Sequence, residues 1–112
     1  MLAALHDVDI NQVGLSDYGR PGNYYARQLK RWTTQYRASE FEQIPDMEWL
    51  IPWLHEHLPQ DDGKVSLVHG DFRLDNLRYH TDKPQVAAVL DWELSTLGHP
   101  YADLANLSLI HI

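Results

Sequence analysis

Leu67-Val68-His69-Gly70-Asp71-Phe72-Arg73-Leu74-Asp75-Asn76, followed further on by Val89-Leu90-Asp91-Trp92-Glu93, is the stretch that decides the fold. Val65 to His69 is an apolar run of strand length. Val86 to Leu90 is a second, rich in β-branched residues and bounded by Pro84 and Asp91. An apolar strand that runs into a carboxylate delivers that carboxylate to a sheet edge or a cleft. Here two such strands end near Asp71 and Asp91, with Asn76 between them. The pattern predicts that the side-chain oxygens of Asp71, Asn76 and Asp91 converge on one cleft. Oxygen ligands of this kind suit a hard cation such as Mg²⁺, and the chemistry that needs them is phosphoryl transfer or metal-assisted hydrolysis.

Outward from this stretch the chain divides into unlike halves. Residues 1–58 read as helix and loop, and residues 64–112 as strand, loop, strand and helix. Leu2 to Val8 reads as the end of a helix, and Asn11 to Asn23, with Gly14, Pro21 and Gly22, reads as a loop. Tyr25, Leu29, Trp32 and Tyr36 fall on one helical stripe, with Asn23 as N-cap, and the stripe is expected to be core. A second helix is expected from about Asp46, with Met47, Leu50, Ile51, Leu54 and Leu58 on one face; Pro52 either kinks it or marks a later start. Leu77 to Tyr79 is expected to pair with Val86 to Leu90 across the turn His80 to Gln85. Tyr101 to Ile112 is apolar at helical spacing through Leu104, Leu107 and Ile110 or His111. The expected fold class is α+β, with helices packed on a small hairpin sheet.

The balance of 9 basic against 16 acidic residues gives a net charge of −7, which repels a phosphate backbone and argues against a nucleic-acid partner. With 44% hydrophobic and 22% charged residues the composition is that of a globular chain, too apolar for disorder. The absence of Cys removes a disulfide scaffold, a thiolate metal site and a Cys nucleophile. No apolar run reaches the roughly 20 residues that span a bilayer, and no signal peptide is visible at Met1 to His6. A cytoplasmic protein without a membrane partner is therefore expected. His55-Glu56-His57 lacks the i, i+4 spacing of a helical zinc pair and reads as surface.

The decisive stretch, together with Gly98-His99-Pro100-Tyr101-Ala102-Asp103-Leu104-Ala105, resembles the aminoglycoside phosphotransferase family of protein-kinase-like enzymes. Within that family it is most similar to the kinase-like domains related to, or fused with, acyl-CoA dehydrogenases, on the run Asp-Trp-Glu-Leu-Ser-Thr-Leu-Gly-His-Pro. Kinases place a catalytic Asp and a metal-binding Asn in the spacing D-x-x-x-x-N, with a metal-binding Asp on a later strand. Asp71, Asn76 and Asp91 keep that order.

The resemblance implies a fragment of the C-terminal lobe of a kinase-like fold. It also implies an ATP-dependent transfer of the γ-phosphoryl group to a hydroxyl of a small molecule, with Mg²⁺ as cofactor and ATP as co-substrate. Asp71 is the implied catalytic base and Arg73 an implied phosphate contact, unless Arg73 simply pairs with Asp75. Asn76 and Asp91 are the implied Mg²⁺ and nucleotide ligands, and Glu93 is either a further ligand or an exposed carboxylate. His69 is implied to brace the loop, and Asp103 to hydrogen-bond within its scaffold. Trp92 is expected to pack beneath the metal loop.

The Gly-rich loop and strand Lys of the N-terminal lobe do not occur in residues 1–112, nor do the late helices that shape an acceptor pocket. The chain accordingly reads as the central part of a phosphotransferase domain, inactive alone and prone to self-association through exposed apolar surface. The open alternatives are a non-catalytic, truncated kinase-like lobe that binds a partner, and a small metal-dependent hydrolase. Aminoglycosides, choline, sugars, homoserine and hydroxyacyl compounds are all implied acceptors, with a weak tilt towards the last.

Overall fold

The computed structural model describes residues 1–109. The elements run α1 (Leu2–His6), α2 (Tyr24–Ser39), α3 (Pro45–Glu56), β1 (Ser66–Val68), β2 (Leu77–Tyr79), β3 (Val86–Val89), β4 (Thr96–Gly98) and α4 (Tyr101–Leu109), with a single 3₁₀ turn at Leu74–Asn76. The expected continuation of the last helix through Ile110, His111 and Ile112 lies outside the described residues. The α+β class is as expected. No described helix is long and apolar enough to cross a membrane.

The backbone forms two compact units, residues 23–63 and residues 1–22 with 64–112. In the first, α2 packs against α3. Asn23 occupies the N-cap position in a left-handed conformation (φ 50°), and its side chain caps nothing. Its backbone N–H instead donates to the Asp61 carboxylate. The Tyr25, Trp32 and Tyr36 stripe is not the expected core: α2 has no buried residue, and Trp32 is half exposed. Only Ile51 of α3 is buried.

Helix α3 begins at Pro45, where the missing N–H costs nothing and the fixed φ suits the first turn. It runs through Pro52 without stopping, although Pro52 cannot donate to the Glu48 carbonyl. Asp46 and Glu48 sit favourably in its first turn. The Arg37 guanidinium donates to both Glu48 oxygens, with Nη2–Oε2 at 2.9 Å, and also to Glu40. Trp49, Trp53 and His57 stack along the outer face of α3, and His57 accounts for its Nδ1 on the Trp53 carbonyl, so the His55-Glu56-His57 run is surface.

In the second unit the expected single sheet is two. β1 pairs antiparallel with β4, Leu67 opposite Leu97, and β2 pairs antiparallel with β3, Leu77 opposite Val89. The strands are also shorter than expected at both apolar runs. After β1 the chain turns at Gly70 (φ +86°), and β1 takes Thr96–Gly98 as its partner instead of the hairpin. β4 was not legible because Thr-Leu-Gly is too short to show alternation.

The core of this unit is Leu67, Val68, Phe72, Leu77 and Leu97, joined by the buried polar residues Ser66, His69, His99 and Asp103. α1 packs against β1, and Gly19 lies so close to β4 that a Cβ would stand 2.6 Å from Thr96 Oγ1.

Two outcomes follow from this packing. At Gly70 a Cβ would meet the Leu94 carbonyl oxygen at 2.6 Å in a left-handed conformation that side chains avoid. Gly70→Ala is therefore expected to cost about 1–3 kcal/mol, read as a lower urea midpoint at unchanged slope.

The second concerns acid. The hydrogen bonds from Arg37 hold the Glu48 carboxyl below its ordinary value. A group whose pKa is depressed by folding stabilises above its unfolded value and loses that contribution as the pH falls through the folded one. Between about pH 5 and pH 3 the wild type should lose more protection of the α2–α3 amides than Arg37→Met does, measured by hydrogen exchange. Parallel curves would show that the ion pair contributes nothing.

Candidate active site

β1 is buried at all three positions and carries the chain to His69, which has no exposed surface. The two ring nitrogens of His69 have different partners. Nδ1 accepts the Asp71 backbone N–H at 3.2 Å, and Nε2 faces the Leu90 carbonyl at 2.9 Å. An N–H donor on one side and a carbonyl on the other fix the neutral form protonated at Nε2. His69 thus ties the loop carrying Asp71 to the end of β3. The ring is sandwiched by Phe72, at 5.8 Å edge-on, and Trp92, at 4.6 Å. Trp92 is part-exposed, and its indole N–H donates to the Val89 carbonyl at 2.9 Å.

Beneath this loop lies Asp103 of α4, also without exposed surface. Its Oδ2 accepts the His69 backbone N–H at 2.8 Å and its Oδ1 the Gly70 N–H at 2.8 Å. His6 of α1 donates from Nε2 to the same Oδ2 at 2.9 Å. A carboxylate survives in a low-dielectric interior only when its lone pairs are taken by donors, and here three donors converge on it.

Asp71 and Asn76 are brought together directly. The 3₁₀ turn at Leu74–Asn76 points Asn76 back at the loop, and its Nδ2 donates to the Asp71 carbonyl at 2.9 Å and to Asp71 Oδ2 at 3.0 Å. Both partners are pure acceptors, so the amide orientation is chemically forced and Asn76 Oδ1 turns away from them. The Asn76 carbonyl in turn accepts the Leu90 N–H at 2.8 Å, which places the backbone of Asp91 one residue beyond that contact. Asp91 itself is exposed and adopts φ +63°, a conformation that non-glycine residues take at some energetic cost.

Asn76 offers an amide oxygen and Asp91, on the neighbouring loop, a carboxylate. This donor set suits Mg²⁺, which keeps several waters and takes further oxygens from substrate phosphates. Among the described residues no cluster of three or more His, Cys, Asp or Glu side chains is placed to hold a metal ion.

Arg73 pairs with Asp75, whose hydrogen bond and charge raise the guanidinium pKa, Asp71 adding a smaller push. Glu93 is exposed. Asn106 and His6 were not foreseen. Asn106 of α4 directs Nδ2 at Asp71 Oδ1, 3.4 Å away. Its only sequence signal is the i, i+3 spacing from Asp103 on one helical face. His6 carried no signal, being 97 residues distant from the group it binds.

Residues 1–111 match the model of the phosphotransferase enzyme family. Mouse acyl-CoA dehydrogenase family member 10 is 54% identical over 111 residues, 99% of this chain but 10% of that protein. Rat acyl-CoA dehydrogenase family member 11 is 52% identical over 110 residues, 98% of this chain and 14% of that protein. Mouse ethanolamine kinase 2 is 29% identical over 69 residues, 62% of this chain and 18% of that protein. A crystal structure from Ralstonia eutropha, described as a "putative aminoglycoside phosphotransferase", superposes with a TM-score of 0.93 at 56% identity, over 99% of this chain and 34% of that one. The chain thus spans a tenth to a third of the lengths of these proteins. The match over nearly all of its residues and the shared backbone of its loops establish that the chain belongs to the phosphotransferase enzyme family.

Proposed function

We propose that these residues form the catalytic and metal-binding loops of a phosphotransferase that moves the γ-phosphoryl group of ATP to a hydroxyl of a small molecule. The observation that carries this reading is the forced orientation of Asn76. Its amide nitrogen is committed to Asp71, which leaves the amide oxygen free for a cation. Asp71 is the base: its carboxylate takes the proton of the acceptor hydroxyl as the new O–P bond forms and the bond to the ADP oxygen breaks. Asn76 and Asp91 would hold Mg²⁺, which would supply charge neutralisation at the nucleotide phosphates. Phosphoryl transfer draws most of its acceleration from positioning and electrostatics, so the residues that fix Asp71 matter as much as Asp71 itself. For Arg73 to contact phosphate it must exchange its bond to Asp75.

The hydroxyacyl acceptor that the sequence resemblance favours is one candidate, and the name of ethanolamine kinase 2 supports an amino alcohol as another. The cytoplasm, where ATP is abundant, is the compartment this chemistry suits. A non-catalytic role as a binding piece is the second reading. It is supported by the apolar side chains that these residues leave exposed, Phe41 fully and Trp49 and Leu109 largely.

Two measurements test these readings. The 112 residues alone should bind MgATP weakly and transfer no phosphate at a useful rate, and should sediment partly as dimers through their exposed apolar surface. Calorimetric titration with MgATP beside Asp91→Ala checks the first point; micromolar binding with turnover by the isolated chain would contradict it. In the full natural protein, Asp71→Ala should lower kcat by about 100-fold or more with little change in KM, because Asp71 acts in the transition state. An unchanged kcat would favour the non-catalytic reading.

A further inference from the structure

We propose that Asn106 is a positioning residue for Asp71, clamping the side of the base that Asn76 leaves open; this rests on the phosphotransferase reading and adds to it. The Asp71 carboxylate has two oxygens, and each faces one amide nitrogen. Oδ2 takes Asn76 Nδ2 at 3.0 Å, and Oδ1 lies 3.4 Å from Asn106 Nδ2. A carboxylate held by one donor swings about χ2, a broad torsion with no sharp preferred value. Held by donors on both oxygens it presents a fixed lone-pair direction to the acceptor hydroxyl. The longer of the two bonds is of the kind that tightens when substrate closes the site.

The helix that supplies Asn106 is already the platform of the loop. Asp103, three residues earlier, takes the His69 and Gly70 amides at 2.8 Å. One face of α4 therefore fixes the backbone before Asp71 with a carboxylate, and the Asp71 side chain with an amide. The order of the two types is physically required. A carboxylate suits backbone N–H groups, and the Asp71 carboxylate suits a donor, not a second carboxylate. Asp at position 106 would set two negative charges against each other in a part-buried site.

That polarity gives a test which simple packing cannot mimic. The full natural protein is used, with MgATP and water as the acceptor, read as phosphate release. Asn106→Ala should lower kcat about 10-fold with KM for ATP unchanged. The near-isosteric Asn106→Asp should be worse, about 100-fold below wild type, because it replaces attraction by repulsion. If Asn106 only filled space, Asp would outperform Ala, and that order, or equal rates in all three proteins, overturns the proposal. A second measurement needs no turnover: the side-chain amide resonance of Asn106 should shift on Asp71→Ala, and an unmoved resonance overturns the contact itself. Wild-type protein that neither binds MgATP nor releases phosphate, with the resonance shifting as expected, would sink the phosphotransferase reading and leave Asn106 as a structural ligand of Asp71.

Discussion

The Asp103 carboxylate is sealed from water and receives the backbone amides of His69 and Gly70 together with the His6 imidazole. Removing any one donor would leave a buried lone pair unsatisfied, and removing the carboxylate would leave the buried His69 N–H and the part-buried Gly70 N–H without their partner, at about 1–3 kcal/mol for a buried orphaned group. Those same N–H groups belong to the turn that aims Asp71. The carboxylate therefore joins elements far apart in the chain, α1, the end of β1 and α4, and does so at the point where the loop leaves the sheet.

His69 makes the second tie. Through its two nitrogens it connects the Asp71 amide to the Leu90 carbonyl, and Leu90 in turn donates to the Asn76 carbonyl. Asp71, Asn76 and the residue before Asp91 are thus linked through one buried ring and one backbone bond. The loop geometry also needs two left-handed residues, Gly70 at φ +86° and Asp91 at φ +63°. Gly70 meets the requirement without strain and with no Cβ to strike Leu94. Asp91 meets it at a cost, and strain held at such a position is commonly tied to the task of the side chain.

The sequence made this region legible because its chemistry is local. The buried strand before His69, the five-residue spacing from Asp71 to Asn76 and the apolar run before Asp91 are all short-range patterns, and β2 and β3 lie across the turn His80 to Gln85 as the apolar runs put them. The contacts that stayed hidden are long-range. His6 meets Asp103 across 97 residues and Tyr18 meets Ser95 across 77, with no periodicity to advertise either. β4 is hidden for a different reason, since three residues with a glycine carry no readable period. The aromatic stripe on α2 misled because helical spacing identifies a face, not what covers it.

Asparagine at position 76 is the residue that neither of its near-isosteres could replace. Aspartate there would repel Asp71 across 3.0 Å, and both carboxylates would compete for one proton. Leucine would keep the volume and lose both functions. An amide offers a donor at one end and a neutral oxygen at the other, so a single side chain holds Asp71 through its nitrogen and, on the proposed reading, would offer its oxygen to a cation without adding charge beside Asp71. The same reasoning explains why the amide at position 106 also presents its nitrogen to Asp71. An Asp71 carboxylate flanked by two neutral donors keeps its orientation without a cationic partner.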